Sequence, residues 1–250
     1  AKTAVPAAID HLSSKHIFEN NPINFSNVFR QLYQLSLQAA FLDFLYHRAV
    51  AYSDSDFLAF HGTMLKSFLL LRANELMSEN LLVAGSKGFL KESIIGRNAI
   101  DSFVLPVFDG HYTINTLMTA KHMPRYLNAE RTESLQERVA YLRDKLFVTE
   151  PGNQINAKPS DIRRPSFYNY ADYWAQMDVP LEIEVETMLE RVRQLMAEID
   201  ERQQASEAEY KYKTGMLVHW MESVLAAAEM WRVFDNDNYL NAIVDRKSVV

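Results

Sequence analysis

The chain is 250 residues long, 48% apolar and 23% charged, with a formal net charge of -6. That length suits one large or two small helical domains around a buried core. The acidic balance excludes a general nucleic-acid binder, because no basic stripe is present to neutralise phosphates. The absence of cysteine excludes disulfides, thiolate metal sites and a cysteine nucleophile, and fits a reducing compartment such as the cytoplasm. No apolar run reaches ~18 residues, so no transmembrane segment is expected. Glycine and proline are few, while leucine, alanine, methionine and glutamate are abundant, and alternating apolar/polar runs are nearly absent. The expected fold class is all-α, an up-and-down helical bundle.

In chain order, residues 1–25 hold Pro6, Pro22 and several polar breakers, and read as an irregular or loosely helical lead-in. A helix over about 26–52 carries Val28, Phe29, Leu32, Leu35, Phe41, Leu42 and Leu45. So little of its circumference is polar that it should lie between neighbours. Ser53-Asp54-Ser55-Asp56 breaks the chain and offers caps for a second long helix over about 57–83. Gly85 ends that helix as a left-handed cap. Short helices should follow over about 91–101 and 112–122, the second stopped by Pro124.

Beyond Pro124 the character changes, and the division falls near residue 128. Residues 26–128 are expected to form one bundle and 129–250 a C-terminal helical extension. The extension reads as a charged helix over about 132–147 and a loop over 150–165. Aromatics then cluster at Phe167, Tyr168, Tyr170, Tyr173 and Trp174, before long helices over about 180–204 and 208–234. The first of these has an apolar seam near coiled-coil spacing, most simply paired with the second. His16, His47, His61, His122 and His219 show neither Glu-x-x-His nor His-x-x-x-His spacing, so no metal site is expected.

Two glycine-bearing segments frame the short helix at 91–101. The first is Val83-Ala84-Gly85-Ser86-Lys87-Gly88-Phe89. The second, Leu105-Pro106-Val107-Phe108-Asp109-Gly110, sets a lone carboxylate before a glycine at the end of an apolar run. A loop can aim such an acid into an apolar pocket, where it acts as a general base. The plainer and favoured reading of Asp109 is a turn residue accepting backbone hydrogen bonds around Gly110. Gly85 and Gly88 are explained by a cap and a tight turn, His111 by an exposed loop, and Arg97 by surface ion pairing.

From the helix before Gly85 to about Met123, this arrangement resembles the C-terminal four-helix-bundle domain of the acyl-CoA dehydrogenases and oxidases. In that family a glycine-rich turn, a short helix and a catalytic Glu-Gly pair follow one another, and the spacing from Gly88 to Gly110 matches without insertion. The helix at 26–52 fits more loosely. The resemblance implies an FAD-dependent oxidoreductase acting on acyl-CoA or another acyl-thioester. Asp109 would abstract the proton α to the carbonyl while hydride leaves the β carbon for flavin N5. Gly85, Ser86, Gly88 and His111 would lie by the cofactor, and Gly110 and Arg97 by the substrate. It further implies a homo- or hetero-oligomer, with an N-terminal helical domain and a β-barrel supplied by another chain or by removed sequence.

The departures from the family pattern are specific. Asp109 stands where glutamate is usual and is shorter by about 1.5 Å, when a misplacement of ~1 Å can cost on the order of 10²-fold in rate. Relatives that oxidise nitroalkanes use aspartate at this position. Leu82 replaces a glutamine, Ser86 a glycine, Asp101-Ser102 an Arg-Asp pair, and His111 a threonine; Arg97 lies one turn before that pair. These changes leave a second expectation: a non-catalytic bundle kept for oligomerisation or partner binding.

Overall fold

The computed structural model describes residues 3–17, 19–51, 58–108, 110–127, 134–146 and 207–235, with isolated positions 176, 190, 191 and 194. Among them the protein is an all-α bundle of eight α-helices with no strand, apart from one isolated bridge between Ile17 and Asn20. Helix α1 (Ala4–Ser14) occupies the lead-in and is packed rather than loose. Its Ala4, Val5, Ala8 and Leu12 are buried, and Pro6 falls in the first turn, where a missing N–H has no helical partner to lose. The buried Asn80 Nδ2 donates to Ala4 O at 3.0 Å, fastening α1 to the helix that carries Asn80.

Helix α2 (Ser26–Ala51) follows a 3-10 turn at Pro22–Asn24, in which the Asn21 side chain accepts from Ile23 N at 3.1 Å. The second long helix is not uniform. It comprises α3 (Leu58–Met64), a π-helical turn (Leu65–Leu69) and α4 (Leu70–Ala84). The wider turn buries both Ser67 and Phe68, and the Phe68 ring meets Trp220 edge-on at 5.3 Å. Such single π turns recur where a helix must re-aim its side chains.

Gly85 ends α4 at φ +64° and ψ -143°, a conformation closed to side-chain-bearing residues. After a 3-10 turn (Gly85–Phe89), α5 (Ile94–Val104) starts later than its pattern predicts, because Ser93 caps it by accepting from Ile95 N at 3.2 Å. Helix α6 (Tyr112–Leu127) passes through Pro124 instead of stopping there. Proline costs a helix its bond to the carbonyl four residues back, and with only three residues to follow, that loss touches only the last turn. Helix α7 (Leu135–Leu146) opens on a capping box. Ser134 Oγ accepts from Glu137 N, and Glu137 Oε2 accepts from Ser134 N, both at 3.2 Å.

Helix α8 (Glu207–Phe234) is buried almost continuously from Thr214 to Met230. It packs on α6, α2 and α7. Val218, Met221, Leu225 and Met230 share a core with Leu35 and Leu45 of α2, Phe68 of the π turn, Leu76 of α4 and Leu142 of α7. The α6–α8 crossing is close at Gly215, where a Cβ would stand 2.2 Å from Thr116 O. Helix α7 also ties off two helix ends. Tyr141 Oη donates to Ala51 O at 2.6 Å, and Arg143 donates to Val233 O and Arg232 O at 3.1 and 2.7 Å. These groups meet carbonyls that a helix C-terminus leaves without partners. Residues 128–133, where the boundary between bundle and extension is expected, lie outside the described residues. So do the loop at 150–165, the aromatics at 167–174 and most of the span 180–204.

Candidate functional site

The segment joining α5 to α6 is a tied loop. Val107 N and Phe108 N donate to Val104 O at 3.2 and 3.0 Å, and Tyr112 N donates to Pro106 O at 2.9 Å. Gly110 sits at φ +111°, which only glycine adopts freely. Asn115 Nδ2 reaches back to Gly110 O at 3.0 Å. His111 Nδ1 accepts from Thr113 N at 3.2 Å, so this imidazole caps α6 and stacks on Tyr112 with ring centres 4.5 Å apart. Asp109 lies outside the described residues; its neighbours Phe108 and Gly110 are both held.

At the other end of α5 the glycine turn has two characters. Gly88 is buried, and a Cβ there would stand 2.6 Å from Leu81 O. Gly96 of α5 comes as close, its Cβ position 2.5 Å from Gly88 O and 2.8 Å from Leu90 O. These two glycines let α5 cross the turn backbone to backbone; Gly96 is a position that pattern reading passed over. Gly85 has nothing within 4 Å of its Cβ position, and Ser86 and Lys87 beside it are exposed. Arg97 and Asp101 lie on the exposed face of α5. The eleven residues of α5 separate the glycine turn from the Gly110 loop by roughly 16 Å along the helix axis. The candidate residues therefore form two groups at opposite ends of one helix.

Apolar surface runs between those groups. Leu82 is 70% and Phe108 71% exposed, and Phe89, Ile100, Phe103, Val107 and Ile114 are each more than half exposed. Large apolar side chains exposed in this number along one stretch of chain are characteristic of a surface that something else covers.

A second polar constellation lies in the core, where pattern reading placed none. Arg48 (α2) donates from Nη1 to Glu222 Oε1 at 3.2 Å and from Nε to Glu229 Oε2 at 2.5 Å. Arg138 (α7) donates from Nε to the other oxygen of Glu229 at 3.1 Å. All four side chains are buried. Burial pushes the Glu229 carboxyl up, but the charges and hydrogen bonds of Arg48 and Arg138 outweigh it and hold the group below its usual value. His61 (α3) is buried too, and burial followed by the charges of Arg48 and Arg138 holds it well below an ordinary histidine. Nearby, His219 Nε2 lies 2.9 Å from Thr119 Oγ1 and 3.3 Å from Ser67 Oγ, and burial lowers its pKa to about 3. One signal was present in the chain. Glu222 and Glu229 stand seven residues apart, on one helix face, within a largely apolar run from Val218 to Met230. Among the described residues, no group of three or more His, Cys, Asp or Glu side chains is placed to hold a metal ion. No described helix is long and apolar enough to cross a membrane.

The helix order is that of an all-α bundle, and this fold is shared with part of the acyl-CoA dehydrogenases of known structure. The chain superimposes on an acyl-CoA dehydrogenase from Bacillus anthracis, solved in complex with FAD, with a TM-score of 0.63 and 13% identity. That match covers 97% of this chain and 43% of the other. ACDH-11 from Caenorhabditis elegans, solved in complex with C11-CoA, gives a TM-score of 0.61 at 13% identity, covering 96% of this chain and 39% of that one. The chain thus spans less than half the length of either protein. No family profile and no curated protein matches its sequence.

Proposed function

We propose that this chain is the C-terminal portion of a flavin-dependent acyl-thioester dehydrogenase or oxidase. Its fold is completed by domains on another chain or on further sequence. The observation that carries the reading is the tied loop at Pro106–His111, set beside an uncovered apolar face within a fold shared with acyl-CoA dehydrogenases. Asp109 is the base that takes the proton α to the thioester carbonyl. Gly110 supplies the turn that presents it, and the bonds from Tyr112 N to Pro106 O and from Asn115 to Gly110 O hold the turn to α6. Once covered, Val107 and Phe108 exclude water from the carboxylate, which favours its protonated form and makes it a stronger base.

The glycine turn suits FAD at one position. Open space over Gly85 lets a flat or phosphate-bearing group reach the backbone, and exposed Lys87 adds positive charge beside it. When bound, the flavin accepts the hydride from the β carbon. Arg97, exposed in the first half of α5, would meet an anionic part of the substrate. The apolar face makes the working form an oligomer or a complex, and the cytoplasm is its place.

Purified with all its partner chains, the protein should carry the yellow absorption of oxidised flavin, and Asp109→Asn should abolish substrate-dependent bleaching. A colourless assembly that added FAD cannot reconstitute would sink the enzyme reading; bleaching unchanged by Asp109→Asn would dismiss Asp109 as the base. A non-catalytic partner-binding bundle is favoured by one set of observations. His111 is engaged as a helix cap, Gly88 is required by the close backbone of Leu81, and Leu82 presents an apolar side chain.

A further inference from the structure

We propose that the exposed face of α5 is a self-pairing surface, on which α5 of a second copy of this chain docks antiparallel about a two-fold axis. One side of α5 packs on α1, α4 and the 3-10 turn, and there Ile95, Gly96, Ala99 and Ser102 are buried. At about 100° per residue the opposite side is centred on Ile94, Arg97, Asp101 and Val104. All four are exposed. Their spacing of i, i+3, i+7 and i+10 is that of a helix seam packed along a second helix.

The order of residues along this stripe selects the occupant. From either end it runs apolar, charged, charged, apolar, and the two charges are opposite in sign. An antiparallel copy centred at the level of Ala99 sets Ile94 on Val104 of the partner subunit and Arg97 on Asp101 of the partner subunit. Symmetry repeats both pairs, which is the self-complementarity a two-fold interface requires. A parallel copy in register would instead set arginine on arginine and aspartate on aspartate.

Both charges are poorly served within one chain. Arg97 and Asp101 stand one turn apart, yet neither has an ion-pair partner among the described residues. Arg97 lies toward the N-terminus of α5 and Asp101 toward its C-terminus, each at the unfavourable end of the helix dipole. Antiparallel docking lays each charge against the favourable end of the other helix. Leu90 just before α5 and Phe108 just after it are exposed as well, so the pairing brings the apolar end of each copy over that of the other. The proposal rests on the partner-binding reading above, since it assigns Arg97 to the second copy and not to a substrate anion.

Sedimentation velocity of the full chain from ~1 to ~100 µM tests this, because a helix pair of this size is a small interface with a micromolar midpoint between monomer and dimer. Arg97→Asp and Asp101→Arg should each weaken dimerisation on the order of 100-fold, by setting like charges together twice. The double exchange should restore the dimer. Mixing the two single variants should also restore it, because the aspartates of one then face the arginines of the other. Far-UV circular dichroism checks that each variant is folded. A wild-type chain that stays monomeric at ~100 µM would leave the face to a different chain and overturn the proposal. So would a dimer that neither single variant weakens, or single variants that neither the double exchange nor mixing rescues. Flavin absorbance of the same samples is read separately from mass, so failure of the enzyme reading is told apart from failure of this one.

Discussion

Replacing Glu229 by glutamine keeps the side-chain shape but removes the charge that joins α2, α7 and α8. The wild-type carboxylate uses both oxygens, taking Arg48 Nε at 2.5 Å and Arg138 Nε at 3.1 Å, and all three groups are buried. Glutamine can accept on one atom only, and its amide presents a donor to a guanidinium that has no acceptor. Among the described residues, Glu222 is then the carboxylate left to the two guanidiniums, and it pairs with Arg48. Breaking a buried pair in this way costs about 3–5 kcal/mol, a large part of the ~5–15 kcal/mol that holds a domain folded. With a urea slope of about 3 kcal/mol per molar for a chain of this length, the unfolding midpoint should fall by roughly 1–1.7 M. Urea titration followed by far-UV circular dichroism measures it, and Glu209→Gln in the exposed Glu209–Lys213 pair should show no resolvable shift. Removing the whole constellation is a different perturbation. Arg48→Met, Arg138→Met, Glu222→Leu and Glu229→Leu together should be near neutral, or stabilise by ~1–4 kcal/mol, because none of these four buried charges is left facing a lost partner. A Glu229→Gln loss below about 1 kcal/mol, or a quadruple variant less stable than the single one, would refute the reasoning.

Other outcomes follow from the same structure. Gly215→Ala should destabilise by about 1–3 kcal/mol, since its Cβ would stand 2.2 Å from Thr116 O and force α6 and α8 apart; the thermal midpoint reports it. Tyr141→Phe removes the cap on Ala51 O and should lower stability by about 0.5–1.5 kcal/mol with no loss of helix content, read by urea titration and circular dichroism. Because Arg48 and Arg138 hold the Glu229 carboxyl below the ordinary value of a glutamate, its stabilising contribution is present above that ordinary value and is lost as acid protonates it through its folded value. The stability gap between wild type and Glu229→Gln, measured by urea titration, should therefore be full near pH 7 and shrink progressively below pH 4.5.

Much of the helical pattern was legible because it rests on local rules. The bounds of α2 and α8 follow their apolar periodicity, and Gly85 ends α4 at a positive φ, but with ψ -143° in place of the left-handed helical cap expected there. Where local rules compete, reading failed by a few residues. Ser93 overrode the helical pattern at Lys91 and Glu92, and Pro124 sat too near the end of α6 to stop it. Helix α1 was hidden because Pro6 resembles a breaker until its place in the first turn is known. The Gly88-to-Gly110 spacing pointed to the fold now shared with acyl-CoA dehydrogenases. It said nothing of His111 as a helix cap or of Gly96 packing on Gly88 O, because both depend on where α5 and α6 meet their neighbours. The buried charges were beyond pattern reading for a similar reason. Arg48 stands in the last turn of α2, where a cation is ordinary, and its carboxylate partners lie far away in sequence.

The separation between Arg48 and Glu229, 181 residues, also makes the core an order of events. A ribosome adding about 5–20 residues per second needs roughly 10–40 s to deliver Glu229 after Arg48 has been made. For that interval the bonds that Arg48 makes in the folded core to Glu222 and Glu229 cannot form. A chain ending before Glu222 would lack both carboxylates that α8 brings to Arg48.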